Sequence, residues 1–119
     1  MQETYSGTVI RGEGRGRTIG YPTANIDINE LEIEYKQGVY SSFVSLGNNH
    51  FNAILFFGPK KTFEQIEDTL EIHILNFDQD IYGETLEFTI GQFIRGPIKF
   101  NSAEELIEQI QEDISQVRN

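Results

Sequence analysis

Two polar residues of the sequence, Thr23 and Asn25, stand two positions apart directly after Pro22. Pro22 fixes its own φ and pushes Tyr21 into an extended conformation, so the chain enters this segment rigidly. If the segment is a strand, Thr23 and Asn25 project from one face of it. A hydroxyl and an amide carbonyl side by side are hard, neutral oxygen ligands, which suit Mg²⁺ completed by substrate phosphates. The pair therefore indicates a divalent metal site, with a simple turn cap as the open alternative.

A second candidate group is Glu71, which lies in a strand-like segment together with His73. Period two places these two residues on one face of the strand. The opposite face carries three aliphatic side chains, those of Leu70, Ile72 and Ile74. A carboxylate on a strand anchored in this way is held firmly and can accept a proton from a hydroxyl. The open alternative is an exposed strand glutamate with no chemical role.

The stretch GRGRTIGYPTAN, from Gly14 to Asn25, combines glycines with basic residues. Its three glycines can adopt positive φ, so backbone N–H groups could converge on an anion. Five of the nine Lys and Arg of the chain are concentrated in two short segments, with Arg11, Arg15 and Arg17 in one and Lys60 and Lys61 in the other. Such a concentration suits a compact anion such as a nucleotide phosphate tail. The common phosphate-loop patterns GxxxxGK[ST] and GxGxxG do not fit, and a purely structural turn stays open.

Period-two alternation between turn residues predicts about six short strands. They are Tyr5 to Ile10, Asn25 to Ile28, Val39 to Leu46, Phe51 to Phe57, Leu70 to Leu75 and Thr85 to Ile94. Turns are expected at Gly47-Asn48-Asn49 and from Asp80 to Gly83. No helical pattern lies between the strands, which excludes parallel crossover units. Many short antiparallel strands favour a small closed β-barrel, because closure removes exposed sheet edges.

The last segment of the chain changes to a helical period. Ser102 begins a capping box, in which its hydroxyl accepts the N–H of Glu105 while that carboxylate reaches back to the N–H of Ser102. An apolar stripe at helical spacing follows, formed by Leu106, Ile107, Ile110, Ile114 and Val117. The sequence thus predicts one mainly β domain over 1–119, with the barrel at about 5–95 and a docked helix at about 102–117.

Composition limits the classes of function. The chain has 119 residues, 38% of them hydrophobic, and its formal charge of -10 argues against a nucleic-acid partner. It has no cysteine and two histidines, so a bound metal must be held mainly by oxygen. No run approaches the roughly 20 apolar residues of a membrane span, and the N-terminus lacks a signal-peptide pattern. We therefore expect a cytoplasmic protein without a membrane partner.

Taken in order along the chain, these motifs closely resemble the riboflavin kinase family. The resemblance runs from about Tyr5 to Arg118. It rests on GRGRTIGYPTAN, Gly38-Val39-Tyr40, the strand around Glu71, Tyr82-Gly83, Ile94-Arg95 and a helix after Lys99-Phe100-Asn101-Ser102. The tetrapeptide PTAN behind a Gly-Arg-Gly loop is its most specific part.

The resemblance implies a closed six-stranded antiparallel, Greek-key-like β-barrel with a C-terminal helix. It implies an ATP:riboflavin 5′-phosphotransferase, which transfers the γ-phosphoryl group of ATP to the ribityl 5′-hydroxyl of riboflavin and yields FMN. Glu71 would be the catalytic base and Arg95 would lie near the flavin. Thr23 and Asn25 would bind Mg²⁺, or another divalent cation such as Zn²⁺ or Mn²⁺. Nucleotide binding would fall to Gly14, Arg15, Gly16, Arg17, Gly20, Pro22, Thr23, Asn25 and Tyr82.

The chain departs from the family pattern at Phe56 and Lys61, which stand where the family usually has Asn and Pro. These departures motivate an alternative, a barrel that binds flavin or nucleotide without turnover. In bacteria the kinase domain commonly follows an adenylyltransferase domain that converts FMN to FAD, and no such domain fits into 119 residues. We therefore expect either a monofunctional kinase or an excised C-terminal piece.

Overall fold

The structure, a computed structural model, describes residues 3–11, 20–29, 31, 33–61 and 66–117, with the backbone alone for 60, 61, 66 and 67. This part of the chain contains seven strands and one helix. They are β1 (Thr4–Ile10), β2 (Ala24–Ile26), β3 (Gly38–Leu46), β4 (Asn49–Lys61), β5 (Ile66–Ile74), β6 (Thr85–Thr89), β7 (Phe93–Arg95) and α1 (Ala103–Val117). Within the same ranges, no helix has the length and apolar character needed to cross a bilayer.

Six of the strands form a closed antiparallel barrel. Their order is β4-β5-β2-β1-β6-β3, and β3 pairs back onto β4 to complete the circle. The strands β3, β4 and β5 follow one another in sequence and β6 returns to lie beside β3, which is a Greek-key order. The short strand β7 pairs with the start of β3 as an addition to the barrel. The predicted mainly β barrel with a C-terminal helix is confirmed.

The barrel interior follows from the period-two pattern of the strands. On β5, Leu70, Ile72 and Ile74 are at most 5% exposed and belong to the core. Glu71 and His73, which alternate with them, lie half-buried on the outer face. Other strands contribute to the same core the side chains of Val9, Ile26, Tyr40, Val44, Ala53, Leu55, Phe57, Leu86 and Phe88. The facial assignment made from the sequence of β5 is therefore correct.

Two strand boundaries differ from the predicted ones. The strand expected to reach Ile28 ends at Ile26, because the Asp27 carboxylate accepts the N–H of Asn29 at 3.0 Å and begins a turn. The prediction of one strand over 85–94 is wrong, since the chain breaks into β6 and β7. Between them, the N–H of Gly91 donates to the carbonyl of Ser41 at 2.8 Å. This local bond to β3 interrupts the regular strand pairing between β6 and β7.

Both predicted turns are present. Leu46 pairs with Asn49, which leaves Gly47 and Asn48 as a two-residue hairpin connection between β3 and β4. Gly47 has a φ of 61°, which the twist of such hairpins favours.

The helix α1 begins with a capping arrangement close to the predicted one. The N–H of Glu105 donates to Ser102 Oγ at 3.2 Å. The Glu105 carboxylate accepts the N–H of Asn101, one residue earlier than expected. The helix packs on β3 and β4, where Ile54 is completely buried although it points away from the barrel core.

Close packing at the start of β3 brings β7 into place. A Cβ at Gly38, whose φ is 155°, would lie 2.4 Å from the carbonyl oxygen of Arg95, so only glycine permits this approach. The ring of Phe93 packs edge-on against Tyr40 with 5.3 Å between the ring centroids. Burial raises the pKa of Tyr40, whose hydroxyl stays protonated and donates to the carbonyl of Lys36 at 2.6 Å. The backbone of Arg95 is thereby fixed beside the barrel wall.

Candidate functional site

The pairing of β2 with β5 brings together residues that lie far apart in sequence. Asn25 and Glu71 are directly opposite partners in this antiparallel ladder. Opposed residues project to the same face with their Cβ atoms about 5 Å apart. Thr23, at the entrance to β2, donates its hydroxyl to Glu71 Oε1 at 3.0 Å. Three of the residues selected from the sequence thus meet at one place on the outer face of the barrel.

Both strands hold these side chains firmly. β2 pairs with β1 on one side and with β5 on the other, so its short backbone is bonded along both edges. Pro22 precedes Thr23 and restricts the conformations through which the chain can enter β2. On β5, the buried Leu70 and Ile72 flank Glu71 and anchor its backbone in the core.

One cleft of the described residues, here called the Tyr82 cleft, opens beside Thr23 and Asn25. Its walls also include Arg11, Pro22 and Tyr82. The guanidinium of Arg11 stands 4.1 Å from the ring centroid of Tyr82, which is 52% exposed. An exposed aromatic face next to a cation, with hydroxyl and amide oxygens nearby, provides surfaces for a planar base and for an anion.

Tyr82 owes its position to the predicted turn between β5 and β6. Its N–H donates to Asp80 Oδ1 at 3.0 Å, and the following Gly83 has a φ of 85°. The adjacent carbonyl of Val9 accepts the N–H of Gly83 at 2.8 Å, which ties the turn to β1. The turn therefore presents the Tyr82 ring at the mouth of the cleft.

A second cleft, here called the Arg95 cleft, lies on the other side of Glu71. Its walls are mostly apolar and include Val39, Phe56, Phe57, Pro59, Ile98, Phe100 and Leu106. Within the described part of this lining, the charged residues are Glu71 and Arg95. The Thr23–Glu71 hydrogen bond therefore joins a wall of the Tyr82 cleft to a wall of the Arg95 cleft.

Most of the Arg95 guanidinium is already engaged. Its Nε donates to Asp113 Oδ1 at 3.0 Å, its Nη2 donates to Asp113 Oδ2 at 2.9 Å, and its Nη1 donates to the carbonyl of Gly96 at 3.1 Å. Asp113 is 0% exposed, and Gln109 donates a further hydrogen bond to it at 3.0 Å. A guanidinium has five N–H donors, so two of those of Arg95 have no partner among the described residues. The ion pair fixes its plane between β7 and α1.

Of the glycines and arginines selected from the segment before Tyr21, the structure describes Gly20 alone. Gly20 is exposed with a φ of 93°, and no atom lies within 4 Å of where its Cβ would be. The nucleotide-binding candidates Gly14, Arg15, Gly16 and Arg17 lie outside the described residues. The side chains of Lys60 and Lys61 do so as well.

Asp113 was not among the residues selected from the sequence. The predicted apolar stripe contained only aliphatic residues, and Asp113 was assigned neither to that stripe nor to the exposed face of the helix. The available signal was its spacing, because position 113 falls inside the apolar stripe between Ile110 and Val117. An acidic residue on the buried face of a helix requires a charged partner, and only the structure identifies that partner as Arg95.

Comparison with known proteins gives this fold and site a family context. A family model described as riboflavin kinase, or flavokinase, matches residues 2–119. A "Trifunctional protein RibF/MnmA" from Mycoplasmoides gallisepticum is 46% identical over 107 residues, which are 90% of this chain and 16% of that protein. A "Bifunctional riboflavin kinase/FMN adenylyltransferase" from Listeria monocytogenes is 43% identical over 117 residues, which are 97% of this chain and 37% of that protein. The chain thus spans well under half the length of these relatives.

A solved structure agrees with this match. The crystal structure of riboflavin kinase from Trypanosoma brucei superposes with a TM-score of 0.67 at 25% identity, covering 94% of this chain and 74% of that one. Another relative, named an RNA-binding riboflavin kinase, comes from Bacillus subtilis. It is 38% identical over 111 residues, 92% of this chain and 47% of that protein. The absence of a nucleic-acid partner, which was inferred from the net charge, therefore stays a prediction.

The buried ion pair leads to a prediction about stability. Replacing Asp113 with Ala should lower the free energy of unfolding by about 3–5 kcal/mol, because Arg95 would be left largely buried without its counter-charge. Denaturant unfolding followed by circular dichroism measures the change. The matched control is Glu112→Ala, one residue away and exposed, which should stay within about 0.5 kcal/mol of the parent chain. Equal effects of both variants would contradict a stabilising role of the pair.

Proposed function

Because the chain belongs to the riboflavin kinase family, we propose that it transfers the γ-phosphoryl group of ATP to the ribityl 5′-hydroxyl of riboflavin and produces FMN. One observation carries most of the support. The hydrogen bond from Thr23 to Glu71 links the walls of two different clefts, which is the geometry a two-substrate transfer needs. Each substrate can occupy its own cleft while the reacting groups meet at their junction.

In this proposal Glu71 receives the proton of the attacking hydroxyl. Its carboxylate already accepts a hydrogen bond from one alcohol, that of Thr23, at 3.0 Å. Among the described residues, Thr23 is the hydrogen-bond partner of this carboxylate, and the second oxygen would receive the substrate alcohol and orient it for in-line attack. Phosphoryl transfer asks a protein mainly for positioning and charge stabilisation, and the firm support of β5 supplies the first of these.

Thr23 and Asn25 would hold a divalent cation, for which Mg²⁺ is the first choice. Among the described residues, no group of three or more His, Cys, Asp or Glu could form a metal cage. The neutral oxygens of Thr23 and Asn25 fit a cation that keeps several waters and is completed by phosphate oxygens, as Mg²⁺ does. When bound, such an ion would supply positive charge that partly neutralises the phosphates. Thr23 and Asn25 would fix the position of this cation next to Glu71.

We assign the nucleotide to the Tyr82 cleft, where Tyr82 and Arg11 offer an aromatic face and a positive charge. The glycine-rich segment before Pro22 would complete this side. Its residues Gly14, Arg15, Gly16, Arg17 and Gly20 keep their assignment to the phosphates as part of the proposal.

We assign the isoalloxazine ring of the flavin to the Arg95 cleft. The aromatic and aliphatic lining of that cleft suits a flat apolar ring, and the two remaining N–H groups of Arg95 suit its polar edge. Phe56 is part of this lining, so the departure from the family pattern adds apolar surface where the ring would bind. The departure at Phe56 therefore gives no support to a barrel that binds without turnover, and the side chain of Lys61, the other departure, lies outside the described residues.

The proposed reaction also suggests a partner domain and a cellular compartment for this chain. The Listeria relative is named for FMN adenylyltransferase as well as riboflavin kinase. An adenylyltransferase domain that consumes FMN is accordingly the partner we propose for this chain. We propose the cytoplasm as its compartment because the phosphoryl donor is ATP.

The direct test is chemical. Incubation of the chain with riboflavin, ATP and Mg²⁺ should produce FMN and ADP in equal amounts, measured by chromatography with fluorescence detection. Mixtures that lack either Mg²⁺ or ATP should produce none. Binding of both ligands without any FMN would instead support the non-catalytic alternative.

The variant Glu71→Gln tests the proposed base. The amide keeps the size of the side chain and an oxygen that can accept from Thr23, but it cannot take up a proton. We expect kcat to fall by about 10²–10⁴-fold while the Kd for ATP changes little. The matched control is Glu87→Gln on β6, where the glutamate is exposed and should leave kcat unchanged. Full activity of the Glu71 variant would remove this residue from the mechanism.

The variants Thr23→Ala and Asn25→Ala test the proposed cation ligands. Each should raise the Mg²⁺ concentration needed for half-maximal activity by about 10-fold or more, because one oxygen ligand is lost. The variant Thr23→Ser keeps the hydroxyl and should keep the parent metal dependence. Titration of activity with MgCl₂ at saturating substrates gives these values. An unchanged metal dependence in both alanine variants would exclude the assignment.

A further inference from the structure

His73 belongs to the same strand as Glu71 but has no part in the proposed transfer. It lies two residues beyond Glu71 on the same outer face of β5 and is half-buried. Its ring atom Nδ1 is 2.8 Å from the carbonyl oxygen of Pro22. A carbonyl oxygen can only accept, so this contact requires the proton to sit on Nδ1.

The contact lies where the backbone pairing between β2 and β5 stops. The last pair of this ladder is Ala24 with Ile72, so the next position on β5 is His73. Pro22 has no N–H and cannot continue the ladder as a donor. The His73 side chain therefore bonds to Pro22 at the point where the backbone pairing of β2 with β5 has ended.

The surroundings of the ring restrict its movement. Tyr21 packs against it edge-on, with 5.5 Å between the ring centroids and an interplanar angle of 70°. The hydroxyl of Tyr21 accepts a hydrogen bond from Gln111 Nε2 of α1 at 3.2 Å. Tyr21 and Pro22 are thus fixed between β5 and the helix.

We propose that His73 is a positioning residue, whose bond to Pro22 holds Thr23 in place against Glu71 and next to Asn25. This inference rests on the proposed function, because that function assigns to Thr23 a cation–phosphate complex to bind. Among the described residues His73 lines neither the Tyr82 cleft nor the Arg95 cleft, so it acts through Pro22 and not on a substrate. A displacement of about 1 Å in such a site is enough to cost about 10²-fold in rate.

Three substitutions separate this bond from general packing. In His73→Asn the amide Nδ2 can replace the Nδ1 donor, whereas His73→Gln places its amide at the distance of Nε2 and His73→Leu has no donor. We expect Gln and Leu to raise the Mg²⁺ requirement about 10-fold and to lower kcat, with the KM for riboflavin within about twofold. Asn should restore most of both. Equal losses in all three variants would overturn the proposal in favour of packing alone.

The second histidine of the chain supplies a matched control. His50 also uses Nδ1 in a hydrogen bond, with Ser45 Oγ at 2.8 Å, but it is exposed and lines neither cleft. His50→Leu should leave the Mg²⁺ requirement and kcat at the parent values. A rise in Mg²⁺ requirement as large as that of His73→Leu would show that any lost histidine bond has this effect, and would overturn the proposal.

Two readouts do not depend on turnover. A ¹⁵N–¹H spectrum of the parent chain should show the His73 ring proton on Nδ1 with a coupling to the Pro22 carbonyl carbon; a proton on Nε2 alone would overturn the proposal. Calorimetric titration with ATP at graded Mg²⁺ should show weaker metal-dependent binding in His73→Gln and recovery in His73→Asn, and equal binding in both would overturn it. If the parent chain binds ATP in this way but forms no FMN, the proposed function fails and the role of His73 stands.

Discussion

The register of the short ladder between β2 and β5 is the constraint on which the site depends. Asn25 and Glu71 are 46 positions apart in the sequence and meet only because they are directly opposed in this ladder. A slip of one residue would turn every side chain of the strand to the other face. Glu71 would then enter the barrel, and Leu70 or Ile72 would be exposed in its place. The position of the carboxylate is therefore decided by the burial of its aliphatic neighbours.

The same reasoning explains why a strand as short as β2 is sufficient. All three of its residues pair with β5, Asn25 and Ile26 also pair with β1, and Ile26 is buried in the core with 3% exposure. Moving Glu71 inside would bury a charge without a partner, which costs several kcal/mol, while exposing a leucine or isoleucine would lose about 2 kcal/mol more. The register is thus much more stable than its alternatives, although the backbone bonds of β2 are few. A fixed register on a closed barrel provides the rigid support that a catalytic group requires.

Local patterns in the sequence predicted the fold class and the parts of the site that repeat with a fixed period. The alternation around Glu71 identified the core face of β5, and Ser102 identified the beginning of α1. The break between β6 and β7 could not be found in this way, because it depends on Ser41, a residue of another strand. The partner of Asp113 was equally hidden, since Arg95 is 18 positions away and is brought close only when the helix docks. Contacts between elements decide these features, and no period in the sequence encodes them.

The charge of the molecule explains why the proposed nucleotide would need its cation. The protein carries a formal charge of -10, and the Tyr82 cleft includes Asp78 and Asp80 as well as Arg11, so its described lining has a net charge of -1. A free polyphosphate would be repelled at such close range, where a Debye length of about 8 Å screens little. A nucleotide with a bound divalent cation carries two fewer negative charges and offers that cation to Thr23 and Asn25. The neutral oxygens of these residues are better suited here than carboxylates, because additional negative charge at the cleft would repel the phosphates that must complete the coordination.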